Sequence, residues 1–173
     1  MRMGWKKFKE AYRISHIVSM KDGDLVIGSP YIWDLIIVGP NGVIKKHRDG
    51  TENENLMRYE REIGDDPVKA AALIAEPDVF EKSIPIYTYE NGEIIKKYCE
   101  EPGWPNITHD GDIMYENTFS GDEQKIVEYA RRNLRAKIEN CTDRISENTL
   151  KIERDKKLRL EAEKELQSLS VYP

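Results

Sequence analysis

Glu123 to Gln167 is a run of 45 residues without a proline or a glycine. No other feature constrains the chain as much, because a stretch of that length without either breaker reads as one helix. Ser120 and Glu123 stand three apart in the pattern of a capping box, which places the start. Four acidic-to-basic pairs at i, i+4 favour helix: Glu128–Arg132, Glu147–Lys151, Glu153–Lys157 and Asp155–Arg159. Leu134, Ile138, Cys141, Ile145 and Ile152 follow spacings of four, three, four and seven, and the same register continues to Ala162, Leu166 and Leu169. This is a coiled-coil seam. Arg131, Asn148, Asp155 and Arg159 interrupt it with polar groups.

At about 1.5 Å of rise per residue the helix would extend some 70 Å. The remaining ~120 residues make too small a domain to cover that length. Three arrangements would bury the seam: a homodimer, a helical hairpin hinged near Asn140–Asp143, or a different protein. The expected seam of a homodimer is Leu134, Ile138, Cys141, Ile145, Ile152 and Leu166.

The rest of the chain changes character. Lys21-Asp22-Gly23-Asp24, Gly39-Pro40-Asn41-Gly42 and Asn91-Gly92 are turn signals between β-branched runs. They predict strands at Tyr12–Met20, Leu25–Gly28, Tyr31–Val38, Val43–His47, Ile84–Tyr89 and Glu93–Cys99. Tyr31–Val38 is the most apolar of these and the expected centre of a sheet. The second and third hairpins resemble each other, from Asn41-Gly42-Val43-Ile44 and from Asn91-Gly92-Glu93-Ile94. An old duplication would account for both, and so would one rule: an Asn-Gly turn needs β-branched residues after it, and edge strands want lysines. Thr51 with Glu54 suggests a capping box for a helix over about Glu52–Ile63, with Gly64 as its stop. Asp66-Pro67 opens a second helix through Ala75. The expected class is α+β, with a hairpin-rich domain over 1–119 carrying one or two short packed helices, and a long helix over 120–169.

Charge narrows the function. The net charge is -5. Residues 121–173 hold 12 Lys/Arg and 11 Asp/Glu, a net of +1, so the remainder holds 27 − 12 = 15 against 32 − 11 = 21, a net of -6. An acidic domain argues against general nucleic-acid binding. Lys6, Lys7, Lys9 and Arg13, interleaved with Trp5, Phe8 and Tyr12, would suit single strands, or equally an amphipathic segment whose aromatics enter the core. Two cysteines, Cys99 and Cys141, make no disulfide framework or metal spacing. No apolar stretch has the length of a membrane span or of a leader peptide. A cytoplasmic protein is expected, in which the sequons at Asn106 and Asn140 are chance matches.

Chemistry-bearing residues are few. His109 lies in Thr108-His109-Asp110-Gly111-Asp112, and a histidine with two aspartates is the grouping a small metal-dependent enzyme would use. The same run is also a good turn. Cys99 would be a nucleophile only with His109 as its base. His16 and His47 fall on strand patterns. Phosphate loops, GxSxG and HExxH are missing. The sequence assigns no catalytic residue, no metal ligand and no cofactor. Glu100–Phe119 reads as a long loop whose aromatics, Trp104, Tyr115 and Phe119 with His109, would either pack the helix onto the sheet or contact a partner.

The run Gly103-Trp104-Pro105-Asn106-Ile107-Thr108-His109-Asp110-Gly111-Asp112-Ile113-Met114-Tyr115-Glu116-Asn117-Thr118-Phe119, followed by a charged helix, resembles small accessory proteins of tailed bacteriophages over about residues 85–165. The resemblance implies no catalytic residue. It implies a context, that of a protein without enzymatic activity that binds and redirects a host protein, a defence or metabolic factor included.

Overall fold

A computed structural model describes residues 4–50 and 52–170. The chain is α+β and separates into two units, Met1–Tyr129 and Ala130–Pro173.

The first unit opens on α1 (Trp5–Ala11). Trp5, Phe8 and Tyr12, at i, i+3 and i+7, share one face and are buried. The amides of Lys6 and Lys7 donate to the two oxygens of Asp78, both at 2.8 Å, a cap supplied from 72 and 71 residues downstream. The predicted strand Tyr12–Met20 therefore shortens to β1 (Ile17–Lys21). Its first half is spent leaving α1, where Arg13 takes a left-handed φ of 48°.

β1 pairs antiparallel with β2 (Asp24–Gly28) across a turn in which Asp22 (φ 51°) and Gly23 (φ 85°) are both left-handed. This is the geometry that matches strand twist. β2 then pairs with β3 (Ile36–Val38) and β3 with β4 (Ile44–Lys46), giving the order β1-β2-β3-β4. Leu25, Val26 and Ile27 of β2 are all buried, so this strand is covered on both faces.

β3 is much shorter than its apolar run. Ser29 accounts for the difference: its N–H donates to the Ile32 carbonyl at 2.7 Å, and its hydroxyl accepts from the amides of Tyr31 and Ile32. The local turn consumes groups that a strand would have offered to its neighbour. Pro30 contributes no N–H at all. Tyr31, Ile32 and Trp33 are left on the surface.

α2 (Glu54–Asp65) starts from Asn53, whose side chain accepts from the amides of Asn55 and Leu56. Thr51, the expected cap, lies outside the described residues. The helix runs one turn position past Gly64 and hands over at Asp66, which caps α3 (Pro67–Ala75) through the Lys69 amide at 2.9 Å. Leu56, Tyr59 and Ile63 of α2 and Ala70 and Ile74 of α3 join α1 and the sheet in one core. The Tyr59 hydroxyl lies 3.0 Å from both the amide and the hydroxyl of Ser15. Arg58 donates to the carbonyls of Tyr12 and Arg13, each at 3.0 Å, and so satisfies the C-terminal end of α1.

The two Asn-Gly hairpins differ despite their similar sequences. In β5 (Ile84–Glu90) and β6 (Glu93–Cys99), Asn91 (φ 51°) and Gly92 (φ 88°) are both left-handed and seven residue pairs stay in register. The β3–β4 pairing is broken by a register shift, and its Gly42 (φ 76°) packs on α3. A methyl on Gly42 would stand 1.9 Å from the Pro67 carbonyl oxygen, whereas one on Gly92 would meet nothing within 4 Å. Gly42→Ala is expected to cost about 2–5 kcal/mol, backbone strain plus overpacking. Gly92→Ala should cost only the strain, about 1–3 kcal/mol. Equal urea midpoints for the two variants would contradict this account.

The second unit is helical. α4 (Glu123–Leu169) has 47 residues, about 70 Å at helical rise. It starts differently from the expected box: the Asp122 carboxylate accepts from the Gln124 amide at 2.9 Å, and Ser120 receives the Asp122 amide. The helix is continuous through Asn140–Asp143, so the hairpin alternative does not form. Arg159, expected to pair with Asp155, stands 3.4 Å from Glu163 instead. Among the described residues, no helix is long and apolar enough to cross a membrane.

Candidate protein-interaction groove

The segment after β6 is pinned rather than free. Thr108 bridges Cys99, Ile107 bridges Ile113 and Ser120 bridges Tyr87. Met114 and Phe119 close a small second core with Ile86 and Cys99. The Gly111 carbonyl accepts the Met20 amide of β1 at 2.8 Å. A methyl on Gly111 would come within 2.4 Å of the Met20 side chain, and its φ is 96°. Glycine is therefore required where this segment crosses the edge of the sheet.

Between that crossing and the β5–β6 hairpin lies an open groove of about 480 Å³. Its walls include Met20, Lys21, Trp33, Tyr89, Tyr115 and Phe119. Trp33 is 39% exposed and Tyr115 47% exposed. The Lys21 ammonium sits 3.9 Å from the centre of the Trp33 ring, which holds the indole face-on to a cation. Tyr31, at 93% exposure, and Ile32 precede Trp33 in the chain. Tyr115 and Phe119 also line a second hollow of about 320 Å³, together with Trp104. Of the four residues expected to meet a partner, Trp104, Tyr115 and Phe119 gather here.

His109 does not. Its ring stacks on Phe80 with centroids 3.8 Å apart and planes 3° from parallel, and its carbonyl accepts from the Trp5 indole. The Nε2 atom is buried without a hydrogen-bond partner. Asp110 and Asp112 turn instead to the Lys97 ammonium, which reaches Asp110 at 2.7 Å and makes a closer contact with Asp112. Among the described residues, no three His, Cys, Asp or Glu side chains come together as metal donors. Burial pushes the Cys99 thiol up from its ordinary pKa, and its sulfur faces the Ile84 carbonyl at 3.7 Å, the environment of an inert thiol.

At the N-terminal segment, the three aromatics are buried. Lys6 pairs with Glu100 at 2.8 Å, and Lys7 pairs with Glu76. Among the described residues of that segment, no aromatic is left exposed to stack on bases.

The Lys97 cluster gives the wall of the groove a pH dependence. Burial raises the Asp110 carboxyl, but the Lys97 ammonium and the Thr108 hydroxyl outweigh it and hold the group below its ordinary 3.8. A carboxyl depressed in the folded state contributes stability above its unfolded pKa and loses it as pH falls through the folded value. The protein is therefore expected to lose stability below about pH 4. Lys97→Met should be less stable at about pH 7, with the deficit shrinking toward about pH 3. Urea midpoints at the two pH values check this, and a deficit that grows with acid would contradict it.

Sequence reasoning missed Lys21 and Trp33, having placed Trp33 inside a strand. The signal was present in Gly28-Ser29-Pro30, which stops the ladder just before the aromatics. No protein-family model, curated protein or solved structure matches the chain.

Proposed function

We propose that this is a protein without enzymatic activity that captures a segment of another protein in the groove around Trp33 and Tyr115. α4 joins two copies. The observation that carries the reading is that the exposed aromatics Trp33 and Tyr115 line one groove, with exposed Tyr31 and Ile32 next to Trp33 in the chain. Large rigid aromatics at a concave surface are the usual anchors of a protein interface. The cationic Lys21 on the Trp33 face and the carboxylates around Lys97 supply polar groups of both signs for a rim. The likeness of residues 85–165 to phage accessory proteins supports the choice of partner: a host protein of the bacterial cytoplasm, whose activity the complex would block.

The test is a pulldown from bacterial lysate with the full chain and with a Trp33→Ser/Tyr115→Ser variant, whose fold is verified by circular dichroism. The expected result is one stoichiometric protein held by the first bait and lost from the second. Equal retention by both would remove the groove from the reading. Retention by neither would remove the host partner.

A further inference from the structure

We infer that α4 pairs with a second copy of itself in the antiparallel direction. The inference rests on the dimer reading above and adds its geometry. Leu134, Ile138, Ile145 and Ile152 are between 44% and 66% exposed in the single chain, and residues 134–170 are exposed throughout. The seam charges indicate which way a second copy lies.

A parallel two-fold pair sets every seam residue against its own copy. Arg131 then faces Arg131, Asp155 faces Asp155 and Arg159 faces Arg159. Three layers hold like charges at the least solvated positions of the interface, an arrangement that discriminates strongly against a partner. The antiparallel pair sets residues of different number together. Centred between Glu139 and Asn140, it places Leu134 on Ile145 of the other copy, Ile138 on Cys141 and Arg131 on Asn148. Centred on Asp143, it places Leu134 on Ile152, Cys141 on Ile145 and Arg131 on Asp155, an ion pair. Neither register brings two seam charges of one sign together. Flanking lysines and arginines repel in both orientations, so the seam decides.

Disulfide trapping tests the direction. The full-length chain carries Cys141→Val to remove the native seam thiol; Cys99 is buried and stays. Leu134→Cys, Ile145→Cys and Ile152→Cys are made separately, then oxidised alone and in equimolar mixtures. The expected result is a covalent dimer in Leu134→Cys mixed with Ile145→Cys or with Ile152→Cys, and none in any single variant. Single variants that cross-link to themselves would show the parallel pair and overturn the inference. A dimer mass by light scattering with no cross-link in any sample would overturn it as well. A monomer mass for the unmodified chain would instead remove the dimer reading on which it rests.

Discussion

Tyr59→Ala is expected to lower the stability of the first unit by about 3–5 kcal/mol, the cost of emptying a large buried aromatic site. That is a large part of the 5–15 kcal/mol that typically separates folded from unfolded domains. Two effects combine at this residue. Its ring fills the junction of α1, α2 and the sheet and is fully buried. Its hydroxyl is the partner of the Ser15 amide at 3.0 Å, with His16 Nδ1 3.4 Å away. Tyr59→Phe keeps the ring and removes only the polar partner, so about 1–3 kcal/mol should be lost. Near-UV circular dichroism during urea unfolding separates the two, because α4 dominates the far-UV signal and masks the unfolding of the first unit. A phenylalanine variant as unstable as the alanine variant would show that the ring packing contributes nothing of its own.

Ile138→Lys combined with Ile145→Lys should turn the proposed dimer into a monomer. Each isoleucine buried in a seam contributes about 1.5–3 kcal/mol. Two positions in each of two chains then amount to at least about 6 kcal/mol, more than four powers of ten in dissociation constant. Light scattering at tens of micromolar reads the change, and the urea midpoint of the first unit should not move. A dimer mass that survives both lysines would place the contact off this seam.

α2, α3, α4 and the tight turns were legible in the sequence because their causes are local, whereas α1 was not read as a helix. Asp66-Pro67 caps and opens α3 wherever the rest of the chain goes, and Asn91-Gly92 sets the β5–β6 register through its own backbone angles. The seam of α4 is a periodicity and needs no tertiary knowledge to be seen. What stayed hidden depends on distant partners. The α1 cap comes from Asp78, and nothing near Lys6 announces it. Gly42 and Gly111 read as ordinary turn glycines until α3 and Met20 are placed against them.

The candidate site was half visible, and what hid the other half at Trp33 was local. Tyr115 and Phe119 stood out as aromatics in a long connector, and the structure sets both on the groove. Trp33 stood within an apolar run whose composition is that of a strand. Only the hydrogen bonds around Ser29 redirect it to the surface. His109 showed the opposite failure. Its neighbours Asp110 and Asp112 look like co-ligands in sequence, yet their backbone turn aims them at Lys97 while the imidazole lies flat on Phe80.

The exposure of α4 along its length also sets how its amide protons meet solvent. In a packed helix, breaking one turn uncovers apolar surface, and exchange of the amides waits for much of the domain to open. In the single chain, turns beyond Leu134 uncover almost nothing new when they open, because their side chains are already in water. Each opening costs only a few backbone hydrogen bonds. In the Ile138→Lys/Ile145→Lys chain, which cannot pair, deuterium should therefore enter this helix turn by turn within about seconds to minutes, while the amides of Leu25–Ile27 stay protonated until the whole first unit unfolds.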